Sequence, residues 1–221
     1  MTPSANLALP STDEVRALWN RCAAVVDDRA VAEWLEVHRI DVMTVAQLDL
    51  ARVLLRGAEE PEWCRYGNVR WSEGGFRLLL PLLSVTGDLT ALYARSLRPI
   101  RPHPRSGSAP PLTGITGLVM ANASARHLLR TGAWADDASW HTVIIAGGAA
   151  DYLDWATSVA EHSPAVFGIV PGSWTPKLAA RIPPGSRVIV RAHANPIAGR
   201  YAHHVQSALE KTCEVIVRTA G

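Results

Sequence analysis

The sequence predicts an α/β fold for its larger, C-terminal part, preceded by a β-hairpin and a small N-terminal helical region. Three observations predict it. From residue 112 onward, apolar runs of four to six residues, rich in β-branched side chains, alternate with helix-like segments. That alternation is the pattern of strands buried on both faces of a parallel sheet with helices packed over it. Residues 76–97 read as strand, tight turn, strand, and the first 60 residues carry helical spacing with caps. The expected organisation is a helical region over residues 1–60, a hairpin region and Pro/Arg-rich linker over 61–111, and the α/β domain over 112–221.

In chain order, Ser11 with Glu14 three residues later has the form of a capping box, and it opens Val15, Leu18, Trp19 and Cys22 at helical spacing. Asp27 or Asp28 can cap a second helix through Val31, Trp34, Leu35 and Arg39, and residues 42–50 suggest a short third. Trp63, Tyr66 and Trp71 stand in a polar, Gly-containing stretch read as irregular. Next come FRLLLPLL, the turn Thr86-Gly87-Asp88 and LTALYARSL. Pro81 has no N–H for a ladder, so its strand should lie at a sheet edge or carry a bulge. Residues 99–111 are rich in Pro, Arg and Ser and read as an exposed linker.

The α/β region then offers GLVMA with a helix over residues 122–130, TVIIA with 149–161, AVFGIV with 174–181, RVIV with 196–209, and a closing EVIV. Trp19, Trp34, Trp140 and Trp155 are spaced as packing residues. The longest apolar run, residues 78–85, is interrupted by Pro81 and Ser84 and is far too short to span a bilayer. The N-terminus has no basic, then apolar, signal pattern, so the expected location is cytoplasmic, with no membrane partner. Cys22, Cys64 and Cys213 form no CxxC pair and have no His at ligand spacing, which argues against structural zinc and for buried, reduced thiols.

Charge is unevenly placed. The chain holds 22 Lys+Arg and 20 Asp+Glu, but 13 of the acids and only 9 of the bases fall in the first 88 residues. Residues 89–135 and 162–209 contain no acid, yet carry six and five bases. Twenty of the 22 bases are Arg. Arginine's planar guanidinium suits bidentate contact with phosphate or carboxylate, although GC-rich coding produces the same excess.

In an open parallel sheet, ligands bind beyond the carboxyl ends of the strands. The segments following the strands are Gly147-Gly148-Ala149-Ala150-Asp151, Pro171-Gly172-Ser173-Trp174 and His193-Ala194-Asn195-Pro196-Ile197-Ala198. With the hairpin FRLLLPLLSVTGDLTALYARSL and the lead-in GLVMANASARHLL, this layout resembles the TOPRIM domain shared by bacterial-type primases, topoisomerases and some nucleases, over residues 76–217. The resemblance implies two acidic motifs: a Glu-Gly pair, often with an Asp four residues after the Glu, and DxDxxG after a later strand. Here Gly148 and Asp151 match the first motif, and Gly147 stands at the Glu. In the second, His193 and Asn195 occupy the Asp positions, and Ala198 stands at the final Gly with Gly199 one residue late.

Magnesium prefers several converging carboxylate oxygens. Gly147 supplies none, Asn195 a neutral carbonyl and His193 an imidazole suited to softer metals. Catalytic positions are therefore degenerate at Gly147, His193 and Asn195, and any residual metal site would use Asp151, His193 and Asn195. No cofactor is expected, or Mg2+ or Mn2+ should the protein be active. Asp136, Asp137 and Asp154 are weaker sources of compensating carboxylates.

What remains is basic. Arg95, Arg98, Arg101 and Arg105, then Lys177, Arg181, Arg191 and Arg200, can meet a phosphate backbone. Trp174 can offer a stacking face, although Ser173 as a cap and Pro176 in a first turn explain the surrounding residues equally well. His203 and His204 lie beside Arg200. The expected function is a primase-like TOPRIM protein of DNA replication from a phage, plasmid or other mobile element, catalytically degenerate and binding nucleic acid as single-stranded DNA or a primer–template. A helicase, polymerase or other replication protein would be its partner. The alternatives are a metal-dependent primase or nuclease with a non-standard site, and a protein-interaction scaffold.

Overall fold

A computed structural model describes residues 10–66, 69–97, 115–136, 140–159, 164–193 and 196–220. Arg98, Arg101, Arg105, Asp137, Asn195 and the expected linker lie outside these. The chain divides into two compact units, Met1–Pro81 with Leu89–Ile115 and Leu82–Asp88 with Thr116–Gly221.

In the first unit α1 (Thr12–Arg21) begins at Ser11, whose hydroxyl accepts from the Glu14 N–H while the Glu14 carboxylate accepts from the Ser11 N–H. After β1 (Ala23–Ala24) and a single 3-10 turn come α2 (Arg29–Val37), α3 (Val42–Gln47) and β2 (Arg52–Val53). Asp28 caps α2 and Asp41 caps α3. The stretch expected to be irregular forms a small hairpin, β3 (Arg65–Tyr66) with β4 (Val69–Arg70), followed by one helical turn, α4 (Trp71–Gly74). Trp63 and Trp71 are both buried there and meet edge to face, with ring centroids 5.5 Å apart. The hairpin β5 (Phe76–Leu83) and β6 (Leu89–Ser96) completes a sheet ordered β1-β2-β5-β6. All eight residues of β5 are buried, which is why FRLLLPLL shows no alternation. Pro81 is tolerated because β2 reaches only Leu78 and Leu79, so the ladder on that side has ended before the proline. The core gathers Val15, Leu18 and Trp19 of α1 around Leu54, Trp63, Trp71, Phe76, Leu79 and Leu92. Cys64 is fully buried in it, whereas Cys22 and Cys213 are partly exposed, unlike the three buried thiols expected.

One carboxylate ties this unit together. Asp28 accepts from the Val31 N–H at 3.1 Å and pairs with the Arg77 guanidinium of β5. Their side chains are only 13% and 8% exposed. Arg77 Nε donates to the Leu54 carbonyl at 3.1 Å.

In the second unit β7 (Met120–Ala121), α5 (Ala123–Thr131), β8 (Thr142–Gly147), α6 (Ala149–Ser158), β9 (Ala165–Ile169), α7 (Pro176–Ala179), β10 (Arg187–His193), α8 (Pro196–Leu209) and β11 (Glu214–Ala220) follow in order. The sheet runs β11-β10-β8-β9-β7. The four longer strands are parallel as expected, but β7 is antiparallel to β9. The reversal brings the end of β7 to the start of β9, where the Asn122 side-chain oxygen accepts from both Ala125 N–H, capping α5, and Val166 N–H, each at 3.0 Å. Gly168 lets α6 lie close on β9, since a Cβ there would stand 2.7 Å from Tyr152. Trp140, expected to pack, is 66% exposed. No helix among the described residues is long and apolar enough to cross a membrane.

Removing one partner of a buried ion pair strands the other charge. Asp28→Ala should lower the unfolding free energy by about 3–5 kcal/mol. Asp28→Ala combined with Arg77→Met should lose less than Asp28→Ala by itself, measured by chemical denaturation over the full double-mutant cycle. A double variant weaker than the single one would show that the pair does not carry this load.

Candidate functional site

The candidate site forms in the second unit, where β8 and β10 end and α6 and α8 begin. At the end of β8 the chain turns sharply into α6 through Gly148, whose φ of 95° suits a residue without a side chain. Gly148 N–H donates to the Ile169 carbonyl at 2.9 Å. The turn sets Asp151 in the first turn of α6. There it faces His193, the last residue of β10, with Oδ2 3.1 Å from Nε2. Burial raises the Asp151 carboxyl above its ordinary value, against the opposing pull of His193 and Arg191, and Asp154 adds to the rise. On β10, Arg191 lays its guanidinium over Trp155 of α6, 5.3 Å from the ring centroid.

Tyr201 of α8 closes the group. Its hydroxyl donates to the Arg191 carbonyl at 2.7 Å, and burial, reinforced by the Asp151 charge, holds the phenol protonated by raising it above its ordinary value. The ring lies against Gly147. A Cβ built on Gly147 would stand 3.1 and 3.2 Å from Tyr201 Cζ and Cε1 and closer still to its hydroxyl. Position 147 therefore has no room for a side chain while Tyr201 holds this place.

Beside His193, a shallow hollow of about 330 Å³ opens between β10, β11 and α8, lined in part by His193, Gly199, His203, Gln206 and Thr219. His203, His204 and Arg200 are exposed on α8. The hollow thus offers imidazole, amide and hydroxyl groups, and Arg200 follows its lining residue Gly199 on α8.

The expected residues divide as follows. Gly147, Asp151, Arg191 and His193 come together, and Arg200 stands on the adjoining helix. Asn195 lies outside the described residues, as do Arg98 and Arg101. Lys177 is exposed on α7, and Arg181 lies beside Gly132 at the end of α5. Neither joins the Asp151–His193 group among the described contacts. Arg95, in the first unit, sits 5.7 Å from the Trp34 ring centroid. Trp174 departs from the expectation of an open stacking face: it is 5% exposed and meets Phe167 edge-on at 6.4 Å. The loop that carries it folds inward because Ser173, itself fully buried, accepts at its side-chain oxygen from Val170 N–H. Tyr201 and the role of Trp155 were missed. The signal for Tyr201 was an aromatic on the sheet-facing side of α8 opposite the glycine that ends β8.

A Mg2+ or Mn2+ ion, which the TOPRIM resemblance implies, needs several converging hard oxygens. Among the described residues no three His, Cys, Asp or Glu side chains stand together to share an ion. Asp151 is engaged by His193, and Tyr201 fills the space in front of Gly147. The described donors do not fit such an ion.

No protein-family model and no curated protein matches the sequence. Solved structures do match the fold. A DnaG catalytic core superposes with a TM-score of 0.61 at 12% identity, covering 95% of this chain and 72% of that one. A DnaG primase catalytic domain bound to single-stranded DNA gives 0.60 at 12%, covering 95% and 73%. The RNA polymerase domain of Mycobacterium tuberculosis DnaG, in complex with a double-stranded DNA oligomer with a 6-nucleotide overhang, gives 0.57 at 14%, covering 95% and 72%. At these identities the likeness speaks for the architecture: the chain has the fold of a DnaG primase catalytic core.

Proposed function

We propose that this chain is a primase-like, nucleic-acid-binding protein of DNA replication whose strand-end site binds phosphate without carrying out metal-dependent nucleotidyl transfer. The observation that carries the reading is Tyr201, which stands where a side chain at position 147 would have to be while the one remaining motif carboxylate, Asp151, is held by His193. Removing carboxylates from a cleft removes the repulsion that metal would otherwise have to screen. Arg191, His193, Arg200 and His203 are then left to meet a phosphate backbone directly. The neighbours bound to single-stranded and overhanging DNA suggest that ligand class. Single-stranded DNA or a primer–template is the proposed ligand, with a helicase or polymerase supplying the chemistry.

Fluorescence anisotropy with a labelled single-stranded oligonucleotide tests the binding. Affinity should fall steeply with salt, and Arg191→Ala and Arg200→Ala should each reduce the log–log salt slope by about 0.7–0.9, one phosphate contact apiece. Absence of binding at low salt, or slopes unchanged in both variants, would sink the reading. Calorimetric titration with Mn2+ should show no micromolar site. Binding that disappears in Asp151→Ala would instead identify a working metal centre.

The packing behind the reading is tested separately. Gly147→Ala should cost about 1–3 kcal/mol of stability through overpacking. That cost should shrink when it is introduced into Tyr201→Phe, which lacks the hydroxyl nearest the added methyl. Equal costs in both backgrounds would mean that Tyr201 does not fill the position.

A further inference from the structure

β11 is an edge strand of the second unit. It pairs with β10 on one side, in parallel register from Arg187↔Glu214 to His193↔Ala220, and among the described residues has no strand on the other. Its outer side is neither short nor capped by proline. Seven residues run unbroken, and Val217 is 40% exposed. An edge of this kind is a template for another strand unless something blunts it. The only charges on it are Glu214 and Arg218, both exposed, with no ion-pair partner among the described residues. Across the ladder Arg218 faces a like charge, Arg191.

The backbone says which groups are available. Glu214 N–H donates to the Ser186 carbonyl at 3.0 Å, so Glu214, Ile216 and Arg218 turn their peptide groups toward β10. Alternation leaves Val215, Val217 and Thr219 pointing theirs outward. An antiparallel partner strand must bond to these outward groups. A twofold-symmetric pairing of β11 with itself is therefore centred on a residue, never between two. Of the possible centres, Ile216 is the one that sets Glu214 of each copy opposite Arg218 of the other. In that register Val215 and Val217 exchange four backbone hydrogen bonds, and Ile216 meets Ile216. The charged pairs fall at non-hydrogen-bonded positions, where opposed side chains come closest.

We infer that β11 is the interface of a homodimer, in which two copies of this chain pair their edge strands antiparallel about Ile216 and extend the sheet across the twofold axis. The reciprocal Glu214–Arg218 pairs select a second copy over an unrelated strand, because the same segment supplies both halves of the complementarity. The inference is independent of what the strand-end site binds.

Sedimentation equilibrium of the full chain should show a dimer at micromolar concentration. Glu214→Arg and Arg218→Glu each place like charges opposite one another twice, and each should weaken self-association roughly tenfold or more. Mixed in equal amounts, these two variants should recover a dimer, seen by native mass spectrometry as the hybrid species, because each then supplies what the other lacks. Val217→Pro should abolish the dimer with little change in the circular dichroism of the monomer, since the N–H it removes faces away from β10. Should that variant fail to fold, Ile216→Cys decides the register by forming an intermolecular disulfide on oxidation that the parent chain does not form. A parent chain that stays monomeric, single charge variants that associate as tightly as the parent, or a mixture that gives no hybrid would each overturn the inference.

Discussion

The hydrogen bond from the Tyr201 phenol to the Arg191 carbonyl is the constraint on which the second unit's chemistry rests. It seats the first turns of α8 against the ends of β8 and β10, and the ring that makes the bond takes up the room in front of Gly147. Everything nearby follows from that placement. Position 147 must be small, Asp151 is left to pair with His193, and the Arg191 side chain, on the other face of its strand, is free to lie over Trp155. A protonated, buried phenol is a donor with no charge to screen.

The parallel strands were legible because each is an unbroken β-branched run, and burial on two faces demands that composition. The direction of β7 was not, because two residues carry no periodicity and their orientation is set by Asn122 bonding across to β9. Gly147, Asp151, Arg191 and His193 come together because they stand at or just after strand ends, an order of elements that local sequence does encode. Tyr201 was not legible, because its significance lies in a contact with a glycine on a distant strand. Trp174 and Trp140 were misjudged in opposite senses, since spacing shows that an aromatic recurs but not which neighbours cover it.

The fold likeness to DnaG catalytic cores extends over 95% of this chain and describes its architecture. Of the two acid-free stretches, residues 162–209 include His193 at the end of β10, while Gly147 and Asp151 lie between the two. Paired through an edge strand such as β11, two copies would present two strand-end sites to one ligand and gain affinity from engaging both.

Asp28 has a further consequence for how the first unit opens. Its carboxylate ends one helix and neutralises a guanidinium buried on a strand far along the chain. Fraying of α2 from its N-terminus would expose that strand's cation to an apolar surrounding, so the ordinary low-cost breathing of a helix end is closed to it. The first turn of α2 and the start of β5 therefore open together, as one cooperative unit, and the stability of the helix is tied to an inner strand of the sheet.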